Sequence, residues 1–168
     1  TRAETQSSPQ FSILALGNMV NVAVAAARIL EGQGVSASVV NMRFAKPIDE
    51  AAVIEQLRLG LILVTIEDGA LAGGFGSSVL EFVNSLPRPE TRDPKSETRY
   101  PRPDSRFTIH DSRTSDHRSP VTGHGIHDSL NGAARIIRLG YPDAFVEGGT
   151  VSELHRLHGL TAESVADV

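Results

Sequence analysis

Between residues 12 and 85 the apolar positions switch repeatedly between two periods. SILALG (Ser12 to Gly17) is a short apolar run that fits a strand, and after Asn18 the residues Val20, Ala23, Val24, Ala27 and Leu30 recur at spacings of three and four. That spacing predicts an amphipathic helix, which Gly32 and Gly34 end. VSASVVN (Val35 to Asn41) alternates and is rich in β-branched residues, so it predicts a second strand. Pro47 stops any helix from running back through Ala45 and Lys46, and Asp49 is placed to cap a helix over Glu50 to Arg58 that turns Val53, Ile54 and Leu57 inward. Leu61 to Ile66 is a near-continuous apolar strand, the pattern of a strand covered on both faces. EDGALAGG (Glu67 to Gly74) then reads as a loop, and Phe75, Val79, Phe82 and Val83 line one side of a third helix.

The pattern breaks over residues 86–129, which hold six of the nine prolines and four of the six histidines among many charges and few apolar anchors. Such a stretch buries too little apolar area to offset its ordering entropy, so a flexible insert is expected, with order resuming near Ile126 to Ala134. Ala134 to Leu139 can supply a fourth strand, and Gly140 to Gly149 a turn-rich connection. TVSE (Thr150 to Glu153) is a capping box for a short helix carrying Leu154, Leu157 and Leu160, with Gly159 as its stop. Thr161 can cap a final helical segment through Val165. Strands alternating with helices predict an α/β fold with a mostly parallel sheet and helices on both faces, built from residues 12–168 after a polar lead at 1–11.

Composition narrows the chemistry. The chain has 168 residues, no cysteine and no tryptophan, so its core must be aliphatic, and disulfides, thiolate nucleophiles and cysteine-based metal centres are excluded. A net charge of -4 lacks the positive field that nonspecific nucleic-acid binding needs. The longest strongly apolar run, Leu59 to Ile66, is far short of the ~20 residues that span a bilayer. No nucleic acid, no membrane and a cytoplasmic location are therefore expected.

Candidate chemistry gathers where the strands end. Glu67 and Asp68 follow the third strand, at the edge where parallel sheets bind ligands, and Arg43 and Lys46 follow the second. The carboxyl groups could act as an acid–base pair, but no nucleophile is placed beside them, which leaves helix capping or an interface as the better use. The two cations could hold a phosphate or pair with Glu67, Asp68 or another domain. Gly69, Gly73, Gly74 and Gly76 open the third helix, where free amides could hold an anion or the glycines could serve a tight turn. The first strand runs into Gly17, Asn18 and Met19 without the dinucleotide fingerprint. Leu71 has no place in the helical stripe, so the surface around Leu71 and Phe75 is expected to be an assembly contact. His110, His117, His124 and His127 lack any organised zinc spacing, and His155 and His158 sit three apart on a short helix, one expected to face solvent and the other to cover Phe or Leu side chains. No catalytic, cofactor-binding or metal residue is assigned.

Three blocks, NMRFAKPID (Asn41 to Asp49), LVTIEDGALAGGFGSSVLEF (Leu63 to Phe82) and LGYPDAFVEGG (Leu139 to Gly149), together with the opening SILALGNMVNVAVAA, resemble the C-terminal domain of the 1-deoxy-D-xylulose-5-phosphate synthases, in the transketolase superfamily. The resemblance implies a three-layer domain of a transferase that joins pyruvate to glyceraldehyde 3-phosphate with release of carbon dioxide, in isoprenoid biosynthesis. It implies that thiamine diphosphate and magnesium are held by two N-terminal domains absent from this chain, that this chain holds no cofactor and is inactive alone, and that the complete enzyme is a homodimer. The C-terminal domain of a 2-oxoacid dehydrogenase β-subunit, or a freestanding α/β binding module, is the alternative.

Overall fold

The computed structural model describes residues 9–59, 61–86, 124–128, 135–146 and 148–168, with backbone alone at 124–128. Most of the expected insert, including His110 and His117, lies outside the described residues. The elements run β1 (Phe11–Ala15), α1 (Met19–Gly32), β2 (Ala37–Asn41), α2 (Glu50–Arg58), β3 (Ile62–Ala70), α3 (Phe75–Ser85), β4 (His124–Asp128), β5 (Arg135–Tyr141), α4 (Val151–Leu157) and α5 (Ala162–Ala166). They form one five-stranded sheet in the order β2-β1-β3-β5-β4. β2, β1, β3 and β5 are parallel, and β4 is an antiparallel edge strand on β5.

Strand pleating sorts the core into two layers. Ile13, Val64, Ile66, Ile137 and Leu139 face one side, where α1 and α5 contribute Met19, Ala23, Ala26 and Val165. Leu14, Leu63 and Ile136 face the other, under Val53 of α2 and Phe75, Val79 and Val83 of α3. The alternation follows from the two-residue side-chain period of a strand, and it makes the domain the expected three-layer α/β fold. From β1 the chain crosses to β2 on one side, then returns past β1 to β3 with its next helix on the opposite face. β1 and β3 therefore bound the switch point at which an open parallel sheet leaves a crevice beyond its carboxyl ends.

Several expectations shift by small, explicable amounts. α2 keeps its expected bounds, capped by the Asp49 side chain accepting from the Ala52 amide. α1 buries Met19, Ala23, Ala26 and Leu30 but leaves Val24 37% exposed, because the helix is rotated to place alanines, not valine, against the sheet. In α4 the capping box forms as the sequence indicates, yet Leu157 is exposed and His158 is buried, since Leu160, beyond the helix, takes the core position. Gly159 stops α4 with φ of 69°, the left-handed value that suits a glycine there. Two strands depart further from expectation. β4 adds an antiparallel member before the expected fourth strand, and β3 does not stop at Ile66 but continues through Glu67 and Asp68 to Ala70, past a register shift against β5.

Candidate functional site

The extension of β3 fixes the geometry at the carboxyl edge. Glu67 is only 4% exposed, and its two oxygens accept the first amides of α3: Phe75 N–H at 2.7 Å and Gly76 N–H at 2.8 Å. These are orphan donors of a helix start, where the helix dipole also favours an acidic group. The glycines are what let the strand and helix come this close. A Cβ on Gly74 would collide with the Ala70 carbonyl and the Glu67 carboxyl, and one on Gly76 would lie 2.6 Å from Thr65 Oγ1. The anion position at this helix start is thus filled from within the chain.

Asp68 points to the opposite face and is part exposed. It accepts from Asn18 Nδ2 at 2.7 Å, just before α1, and pairs with His155 Nε2 of α4 at 3.1 Å. Burial pushes the Asp68 carboxyl up, but hydrogen bonds from Asn18, His155 and Tyr141 outweigh it and hold it below its usual value. Tyr141, at the end of β5, is pushed up to about 12 by burial, by its hydrogen bond to Asp68 and by that group's charge. His158 stands edge-on to Tyr141 with ring centroids 5.1 Å apart. Neither histidine therefore plays the part expected of it: His155 binds Asp68 and His158 covers a tyrosine.

Arg43 and Lys46 pair with neither carboxyl group among the described residues; the hydrogen bonds of both acids come from other partners. The two cations instead line a cleft of about 660 Å³ with Leu16, Gly17, Phe44, Ala45, Gly73, Gly74, Phe75 and Glu67, lying over the switch point. Phe75 is 1% exposed and belongs to the core, so it offers no apolar surface to a partner. Leu71 is half-buried: its amide donates to the Tyr141 carbonyl at 2.9 Å, and its own carbonyl accepts from Ser77 Oγ at 2.5 Å and Arg138 at 3.2 Å. Arg138 also donates to Ser77 Oγ at 2.8 Å. The sequence carries no signal for the Arg138–Ser77–Leu71 bracket, since an arginine inside an apolar strand gives no sign of which turn it will reach.

Among the described residues these side chains cap a helix start, clamp it to a strand and tie the β3–α3 connection to β5. Among the described residues no three His, Asp or Glu side chains are grouped to hold a metal ion, and no helix is long and apolar enough to cross a membrane. A diphosphate cofactor does not fit the glycine-rich start of α3, because the amides it would need are bonded to Glu67.

The family model for "Transketolase, C-terminal domain" matches residues 2–92, the stretch that carries β1 to β3 and the glycine-rich start of α3, and the chain belongs to that family. Within it the chain is homologous to 1-deoxy-D-xylulose-5-phosphate synthases. It is 39% identical over 155 residues to the enzyme of Geobacillus thermodenitrificans, and 32% identical over 160 residues to that of Caldanaerobacter subterraneus subsp. tengcongensis. Each match covers over nine-tenths of this chain (92% and 94%) but 18% of the relative, so the chain spans less than a fifth of their length. Among solved structures it resembles a chain described as "Split gene transketolase, inactive beta4 tetramer", with a TM-score of 0.60 and 27% identity over 95% of this chain and 38% of that one.

Proposed function

We propose that this chain is the C-terminal assembly domain of a thiamine-diphosphate-dependent 1-deoxy-D-xylulose-5-phosphate synthase, cytoplasmic and homodimeric when complete. In this reading thiamine diphosphate, magnesium and the joining of pyruvate to glyceraldehyde 3-phosphate belong to the N-terminal domains, and this domain packs against them. The observation that carries the reading is the Glu67 clamp: the glycine-rich start of α3, where free amides could have held a diphosphate, is closed by the protein's own carboxyl group. Its likeness to synthases of which it spans 18% supports the same conclusion. Arg43, Lys46, Glu67, Asp68 and Leu71 then serve the sheet edge and its contacts.

The test is direct. Titrating the purified 168-residue chain with thiamine diphosphate and magnesium in a calorimeter should give no micromolar binding, and incubation with pyruvate should release no carbon dioxide. Either binding or turnover by the chain alone would refute the assignment.

A further inference from the structure

The loop after β2 is built to hold an aromatic side chain in water. Arg43 has φ of 58°, a left-handed conformation uncommon for a residue with a side chain. It is held there by its own amide, which donates to Asn41 Oδ1 at 3.1 Å, and by the Phe44 amide, which donates to the Met42 carbonyl at 2.5 Å. The consequence is a sharp reversal that buries Met42 and leaves Phe44 67% exposed. The loop after β5, at the same carboxyl edge of the sheet, leaves Phe145 94% exposed. Isolated exposed apolar residues are ordinary, but a strained backbone that presents one beside a cleft lined by two cations is an arrangement with a use.

We propose that this carboxyl edge is the docking surface for the remainder of the longer polypeptide, which presents apolar sockets to Phe44 and Phe145 and at least one carboxylate to Arg43 and Lys46. The inference rests on the reading of the chain as an assembly domain and goes further by naming the surface. Two observations select this occupant. The relatives are more than five times as long as the stretch they share with this chain, so most of such a protein lies outside the structure. The charge on the cleft is also one-sided among the described residues: Glu67 is bonded to the α3 amides and Asp68 to Asn18 and His155, so neither acid neutralises the two cations. A second copy docked with this cleft on the two-fold axis would set the same cations against each other. A small phosphate would satisfy the cations and leave both phenyl rings in water.

Hydroxyl-radical footprinting of the 168-residue chain and of the full-length polypeptide that carries it reads this surface without needing an active enzyme. Phe44 and Phe145 should oxidise readily in the short chain and roughly fivefold more slowly in the full-length protein, as expected for rings buried in an interface. A carbodiimide should join Lys46 to a carboxylate outside residues 1–168 in the full-length protein. The exposed-site variants F44D and R43E/K46E should restore oxidation at Phe145. Protection confined to Val24 or Leu59 would overturn the surface while leaving the assembly reading intact. Protection that appears in the short chain as its concentration rises would mean a second copy and would also overturn it. No protection anywhere would defeat both readings together.

Discussion

Glu67 and Asp68 are neighbours on one strand with the same chemistry, and the fold uses them in opposite ways. The strand pleat sends Glu67 under α3, where it is buried and receives two main-chain amides. It sends Asp68 to the other face, where a part-exposed carboxyl group gathers side chains from Asn18, His155 and Tyr141. Buried main-chain donors cannot find water when their acceptor is lost, whereas part-exposed side chains can. The first arrangement should therefore be structural and costly to disturb, and the second adjustable and sensitive to pH.

The sharpest way to break this contrast is Glu67→Ala, which should cost about 3 kcal/mol by stranding two buried amides. Glu67→Gln, keeping one acceptor oxygen, should lose roughly half as much. Chemical denaturation of the isolated chain measures both, and equal, small losses would show that water reaches the α3 amides. Gly74→Ala tests the same clamp from the helix side. Its Cβ meets the Ala70 carbonyl as well as Glu67, so backbone must move, and a loss of about 2 kcal/mol is expected by the same assay.

On the Asp68 side, Asp68→Asn should cost well under about 1 kcal/mol at neutral pH, since the group is part exposed and screened by water. Folding lowers the Asp68 pKa, so its contribution is present above the unfolded value of 3.8 and is lost as pH falls through the lower folded value. The variant should accordingly flatten the acid limb of a stability–pH curve. Tyr141→Phe should have the smallest effect, and its distinctive pH dependence lies in alkali. The folded pKa of Tyr141 is raised, so the stability linked to its proton is complete below the unfolded value of 10 and disappears as pH rises toward about 12. Between pH 9 and pH 12 the melting temperature of the wild type should fall relative to that of the variant as the window is crossed.

Much of this is legible in the sequence because it depends on local rules. The bounds of α2, its Asp49 cap, the Thr150 capping box and the Gly159 stop are set by residues within one turn of each other. The clamp is not legible. Glu67, Asp68 and Gly69 have the composition of a loop, and only pairing of Ala70 with Tyr141 across a register shift draws them into β3. That strand extension decides which carboxyl group faces α3, so without it the division of labour between the two acids stays hidden. Phe75 is buried as the first residue of the α3 stripe that the sequence predicts, while the clamp on its amide has no local signal. β4 is invisible in the sequence because HGIHD carries little strand signal of its own and gains its structure from β5.

The clamp also changes what the connection between β3 and α3 has to do. Glu67 fixes the start of the helix directly to the strand, and Leu71 is tied by its amide and carbonyl to Tyr141, Ser77 and Arg138. In the 168-residue chain by itself, Ala72 and Gly73 then join two points already held and are exposed to solvent, Gly73 lining the cleft. Because lengthening a flexible loop costs only about 0.6 kcal/mol per doubling, a short tag or fluorophore-binding peptide should be insertable there without altering strand register or helix position. The tightest junction in the domain thereby supplies a handle for labelling it.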